Sequence, residues 1–166
     1  FRLIRLRPDI FLSLPGNAYG RWSGITLGND MLSKRAKYAI KTLLFLYNNQ
    51  GLTPVSAKVI AERERIPYKF LENILRELRQ HRILKSERGA DGGYRFLMPP
   101  EAIKVSDVIR IVDGPIALIP CVSENFYEQC LECTDEETCK IKRLFGEVRR
   151  AMLPVLDKSI ADLSAD

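Results

Sequence analysis

Between Ser33 and Asn48 the apolar residues Ala36, Ala39, Ile40, Leu43, Leu44, Leu46 and Tyr47 recur at the spacing of one helical stripe. Ser33 stands just before them, with a hydroxyl suited to cap the free amides of a first turn. Asn49 to Pro54 breaks the pattern, and Ser56 then caps a short helix through Ala57, Ile60 and Ala61. A third stripe comprises Ile66, Phe70, Ile74, Leu75 and Leu78, predicting a buried face with Tyr68, Lys69, Glu72, Asn73, Arg76 and Arg79 left opposite. Pro67 fits the first turn, where its missing N–H costs nothing. Residues 56–65 and 67–80 therefore predict a helix-turn-helix.

After His81 the period shortens. Ile83 to Ser86 and Tyr94 to Leu97 read as strands around the tip Arg88-Gly89-Ala90-Asp91-Gly92-Gly93. A helix delivered into such a hairpin is the layout of a winged helix. Pro99-Pro100 ends the second strand, and Val105 to Val112 predicts a connecting helix with Ser106 as cap, stopped by Asp113-Gly114-Pro115. Cys139 to Asp162 predicts a long final helix, on which Ile141, Leu144, Val148, Ala151 and Val155 step by 3, 4, 3 and 4 as in a coiled-coil seam. Such a helix spans about 30 Å at 1.5 Å per residue, more than a small domain covers, so a partner chain is implied. Pro154 is predicted to kink it or end it early.

The fold class is thus mainly α with a small β-hairpin wing. A winged helix-turn-helix domain is expected at 31–98, a connector helix and cysteine-rich sensor loop at 99–138, and a dimerisation helix with its tail at 139–166. Residues 1–30 mix Arg2, Arg5 and Arg7 with Pro8, Pro15 and four glycines without steady periodicity. They read as a peripheral or expression-derived extension ahead of a natural start at Met31, with a basic arm reaching DNA as the alternative.

Charge sharpens this picture. Residues 31–97 hold 14 Lys and Arg against 6 Asp and Glu, net +8, whereas residues 98–166 hold 8 against 13, net −5. The basic block coincides with the winged-helix pattern, which points to a polyanion. Asn73 and Arg76 have the side chains that read adenine and guanine in a major groove. Lys34, Lys37 and Lys58, near helix starts, are candidate phosphate contacts. Gly92 and Gly93 would let the wing backbone approach DNA.

All four cysteines, Cys121, Cys130, Cys133 and Cys139, fall in one short segment, unlike the scattered pairs of a secreted scaffold. The only apolar run near the N-terminus, Ile10 to Leu14, is too short for a signal or a membrane span. A soluble, cytoplasmic protein without membrane attachment is expected. Cys130-Leu131-Glu132-Cys133 forms a CxxC pair compatible with structural zinc. A bare thiol–disulfide switch, helped by Cys139 at a helix N-terminus, and four unligated loop cysteines are the other readings. One histidine, no P-loop and no GxSxG argue against an enzyme. An electron carrier and a protein-interaction module docking an acidic partner remain as competing classes.

The combined pattern resembles the Rrf family of bacterial winged-helix regulators, particularly its IscR- and NsrR-like members with iron-sulfur clusters. The resemblance spans Met31 to Leu163. It is carried by the opening SKRAKYAIKTLLFL, the run IPYKFLENILRELR, the wing SERGADGGYRF, the connector VSDVIRIVDGP and the cysteines before a long helix. It implies a homodimer crossed by the C-terminal helices, binding double-stranded DNA at a palindromic operator with one recognition helix and wing per half-site. It places Tyr68, Lys69, Glu72 and Asn73 where such proteins touch bases, and Arg88, Gly92 and Gly93 where the wing touches DNA. Cluster-bearing relatives hold iron with three cysteines and a variable fourth ligand. Here Cys121, Cys133 and Cys139 match the three, and the histidine of IscR-like proteins is replaced by Lys142. The extra Cys130 is the natural fourth ligand, giving all-thiolate ligation of a 2Fe-2S or 4Fe-4S cluster. The function implied is transcriptional regulation in response to iron-sulfur, nitric oxide or redox status.

Overall fold

The computed structural model describes residues 32–51, 53–89, 91–124 and 126–165. The expected N-terminal extension, the start at Met31 and Ala90 of the wing tip lie outside them. The elements in chain order are α1 (Lys34–Asn48), α2 (Ala57–Glu64), α3 (Tyr68–Gln80), β1 (Leu84–Glu87), β2 (Gly93–Phe96), α4 (Val105–Val112), α5 (Lys140–Leu156) and α6 (Ile160–Ala165). This is a winged helix-turn-helix.

Local chemistry sets the helix boundaries. Ser33 Oγ accepts from the Ala36 amide at 3.0 Å and Ser56 Oγ from the Val59 amide at 3.3 Å, so both predicted caps satisfy first-turn donors. Arg65 ends α2 in the left-handed region, φ 53°, and makes the sharp turn into α3. Pro67 is the N-cap of α3 rather than its first residue.

The buried stripe of α3 is Leu71, Ile74, Leu75 and Leu78. Phe70, expected inside, is 42% exposed and meets Tyr38 edge-on with ring centroids 5.8 Å apart. The reason is rotational: residues 71, 74, 75 and 78 form a complete i, i+3, i+4, i+7 set, which leaves Phe70 on its flank.

In the wing, β1 and β2 pair antiparallel with Leu84 opposite Phe96 and Glu87 opposite Gly93. Val55, just before α2, adds a third edge: its amide donates to Tyr94 O at 3.0 Å and its carbonyl accepts from the Tyr94 amide at 2.8 Å. The hairpin is thereby tied to the helix-turn-helix.

The same core extends past the wing through Ile103, Val105, Val108 and Val112, and ends on Ile160 of α6. Backbone bonds join the lead-in of α4 to that of α6, Val105 N to Lys158 O at 3.0 Å and Ile160 N to Ile103 O at 2.9 Å. Ser106, expected as a cap, is instead fully buried, and its hydroxyl donates to Asp157 at 2.6 Å. Lys104 occupies the cap position of α4.

The expected long helix is two helices. Pro154 lies in the last turn of α5, where it removes a backbone donor. Ser159 and Asp162 then build a capping box, Ser159 Oγ accepting from the Asp162 amide and Asp162 Oδ2 from the Ser159 amide, each at 3.0 Å. That box starts α6 afresh. At 17 residues, α5 spans about 25 Å.

Gly93 is the tightest point of the wing. A Cβ there would lie 2.4 Å from the backbone carbonyl carbon and oxygen of Val55. Gly93→Ala should therefore lose about 1–3 kcal/mol of stability through overpacking against an immovable neighbour. Thermal melting checks this; a parental melting temperature would contradict the packing.

Candidate nucleic-acid interface and cysteine pocket

Burying the inner stripe of α3 turns Tyr68, Lys69, Asn73 and Arg76 outward, all exposed, with Glu72 half-buried beside them. Lys69 and Glu72 form a 3.4 Å pair, worth little on an exposed helix. Phe70, Asn73, Arg76, Glu77 and Gln80 of α3, with Arg35 of α1, line a groove of about 510 Å³. Lys34 and Lys37 sit in the first turns of α1, Lys58 in that of α2, and Arg88 just ahead of the wing tip; all four are exposed. Gly92 and Gly93 have a packing reason beside the one the sequence offers. A Cβ on Gly92 would meet Glu87 O at 2.6 Å, and one on Gly93 would meet Val55, so internal packing also requires both glycines.

The cysteines come from three local structures. Cys121 belongs to the 3-10 turn Pro120–Val122. Cys130 and Cys133 bracket a turn closed by the Cys133 amide on Cys130 O at 3.1 Å, and Cys139 is the N-cap of α5. Their side chains are free thiols, and all four line one cavity of about 300 Å³. Cys130 is exposed and the other three are half-buried. The one histidine, His81, caps the C-terminus of α3 and is not among the residues lining the cavity, so the soft donors there are sulfur alone. Among the described residues no three His, Cys, Asp or Glu side chains are gathered into a single-ion site.

The N-terminus of α5 sets the chemistry of the pair Cys133–Cys139. The Lys142 amide donates to Cys139 Sγ at 3.4 Å and, with the Ile141 amide and the Cys133 thiol, holds Cys139 below the usual thiol range. Burial pushes Cys133 up, and its hydrogen bond to Cys139 adds to the rise.

Lys142 also lines the cavity. Its ammonium is bound to Glu136, which in turn accepts from the Tyr127 hydroxyl, and it lies 5.6 Å over the Tyr127 ring. Tyr127 and Glu136 were not legible as site residues, because loop closure rather than any periodicity brings them to α5.

A helix-turn-helix with its reading helix exposed beside an antiparallel wing is the architecture of a winged-helix DNA-binding protein. The chain belongs to the Rrf2 family: its sequence profile, described as an iron-dependent transcriptional regulator, matches residues 32–166. An rrf2-like HTH-type transcriptional regulator of Rhodobacter capsulatus is 39% identical over 133 residues, 76% of this chain and 87% of that one. Among solved structures, CymR, described as the global cysteine regulator of B. subtilis, superposes with a TM-score of 0.67 at 30% identity, covering 81% of this chain and 95% of that chain. IscR of T. potens gives a TM-score of 0.63 at 30% identity, covering 80% and 84%. The relatives are transcriptional regulators, and DNA-binding regulation is the activity of this chain. Among the described residues no helix is long and apolar enough to cross a membrane.

The opposite shifts of the two thiols give a pH test on reduced, metal-free protein. At pH 7 a limiting alkylating reagent should label Cys139 ahead of Cys133, because the lowered thiol is the more ionised. Raising the pH well past the ordinary thiol value of about 8.5 should narrow the preference as Cys133 also ionises. Peptide mapping by mass spectrometry reads the order, and equal labelling at pH 7 would contradict the role given to the α5 amides.

Proposed function

We propose that this regulator acts in the cytoplasm as a homodimer on a palindromic operator, and that its four-cysteine pocket holds an iron-sulfur cluster whose state sets operator affinity. The observation that carries the reading is that Cys121, Cys130, Cys133 and Cys139 all open into one cavity on the segment leaving α4. Four thiols with no histidine on the cavity suit all-thiolate ligation of a cluster, with tetrahedral zinc as the competing occupant. When bound, such a cluster supplies a centre that responds to redox state, nitric oxide or iron supply. The chain's own part is to hold it with four thiolates, with Cys130 taking the fourth position, and to set the Lys142 ammonium beside the sulfurs as a countercharge.

In this division of labour residues 31–98 bind DNA, 99–138 sense, and 139–166 pair the subunits. Tyr68, Lys69, Glu72, Asn73 and Arg76 face bases, while Lys34, Lys37, Lys58, Arg88 and the backbone at Gly92 and Gly93 face phosphates. Dimerisation is supported by α5, none of whose residues is buried: Ile141, Leu144 and Val155 are 62%, 55% and 67% exposed. A thiol switch is the second reading, favoured by Cys133 and Cys139 lining one cavity with Cys139 at the N-terminus of α5. A peroxide or disulfide oxidant would take two electrons and the two thiol protons as the S–S bond forms.

Phosphate and base contacts separate by mutation. Arg88→Ala should weaken binding to all duplexes and flatten its salt dependence, whereas Asn73→Ala should blur operator preference by about 1–3 kcal/mol. Gel shifts over a salt series read both, and sedimentation of the complex should give two chains per duplex. Parental behaviour in both variants would refute the assignment of the interface.

Protein isolated without oxygen should be coloured and contain iron, and Cys130→Ala should lose both while its winged helix stays folded. Full iron in that variant would place the fourth ligand elsewhere. Stoichiometric zinc in the parent would replace the cluster by a structural knuckle, and neither metal would favour the thiol switch.

A further inference from the structure

One guanidinium sits where three helices meet. Arg35, in the first turn of α1, donates from Nη2 to Glu77 Oε1 on α3 and from Nη1 to the carbonyl of Val112, the last residue of α4, at 3.2 Å. Two residues earlier, Ser33 binds Asp113 at the end of α4 through its amide at 3.3 Å and its hydroxyl at 2.5 Å. The C-terminal end of α4 is thus clamped to the start of α1. Beyond it, Gly114 turns the chain at φ 94° toward the cysteine segment. Glu77 lies four residues beyond Asn73 on α3, and Arg35 and Glu77 line the same groove as Asn73 and Arg76.

We propose that Arg35 is a positioning residue that couples the end of α4 to the reading helix α3. Arginine and carboxylate pair best in bidentate form, two nitrogens to two oxygens. Here the guanidinium is divided, and Glu77 Oε2 is buried with no partner among the described residues. If the end of α4 withdraws, Nη1 is released from Val112 and can close on Oε2. The pair then has two discrete arrangements, one shared between α3 and α4 and one confined to α1 and α3. A shift where the cysteine segment begins would be read at the face that carries Asn73 and Arg76. The inference rests on the proposed roles of α3 as operator reader and of the cysteine pocket as sensor.

The test is a double-mutant cycle on the full chain, using a palindromic duplex that the protein selects from a random pool and a scrambled duplex for comparison. Asp113→Ala loosens α4 from α1, and Arg35→Met removes the divided guanidinium. Each should lower the preference for the selected duplex about tenfold, and the double variant should lose no more than the worse single one. Glu77→Gln, which keeps the shape of its side chain, should match Arg35→Met. Arg35→Lys should retain the melting temperature by keeping a charge beside Glu77, yet still lose the preference, since an ammonium lacks the rigid fork that joins both helices. A purely structural Arg35 would be rescued by lysine. Additive losses, or a parental preference in Arg35→Met or Arg35→Lys, overturn the proposal. Repeating the parent measurement with the cysteine site reduced, oxidised and iron-loaded judges the sensor reading separately: an unchanged preference defeats that reading, while the cycle still decides Arg35.

Discussion

Full burial of one stripe of α3 is the constraint on which the rest depends. Leu71, Ile74, Leu75 and Leu78 are inaccessible to solvent, each worth about 1.5–3 kcal/mol relative to exposure. A helix turns as one body, so fixing these four fixes the azimuth of every other residue on it. Asn73 and Arg76 face outward because their neighbours cannot, and Glu77 comes round to Arg35 for the same reason. The wing obeys the same constraint: Leu84 closes the core at one end of its hairpin, while the Val55–Tyr94 bridge anchors the other to the start of α2.

The cysteine side is built differently. No residue of α5 is buried, and its ties to the preceding loop are polar, Arg149 to Glu124 at 2.7 Å and Lys142 to Glu136. Partly exposed ion pairs contribute little each. The geometry of the four thiols is therefore soft by construction, held by loop turns and by the first turn of α5. A ligand or a partner subunit binding there has little packing energy to overcome, and that softness suits a sensor better than a rigid core would.

Much of this was legible in the sequence because it depended on local chemistry. Ser33 and Ser56 cap the helices they precede, the period change after His81 marks the wing, and the exposed face of α3 follows from its stripe. What was missed depended on contacts distant in sequence. Ser106 has the sequence position of a cap, but Asp157, 51 residues away, claims its hydroxyl. In the sequence Gly93 shows only a possible approach to DNA, and the packing against the Val55 backbone that also requires a glycine there comes from the fold. Phe70 and Leu71 compete for one stripe, and only the full set of four inner residues decides between them. The Ser159–Asp162 box is a local signal, masked by a continuous apolar pattern running through Pro154.

The two halves of the chain also differ in how they use their charges. On the acidic side, Lys104, Arg110, Lys142 and Arg149 each pair with a carboxylate of their own segment. On the basic side Arg35 and Lys41 pair inward with Glu77 and Glu64. Lys34, Lys37, Lys58, Arg76 and Arg88 form no ion pair among the described residues. Cations left in water carry a loose counterion shell, and a polyphosphate that meets several at once releases bound ions on both sides. On the interface proposed above, affinity would come from the unpaired set and discrimination from the exposed residues of α3, whose azimuth the buried stripe fixes.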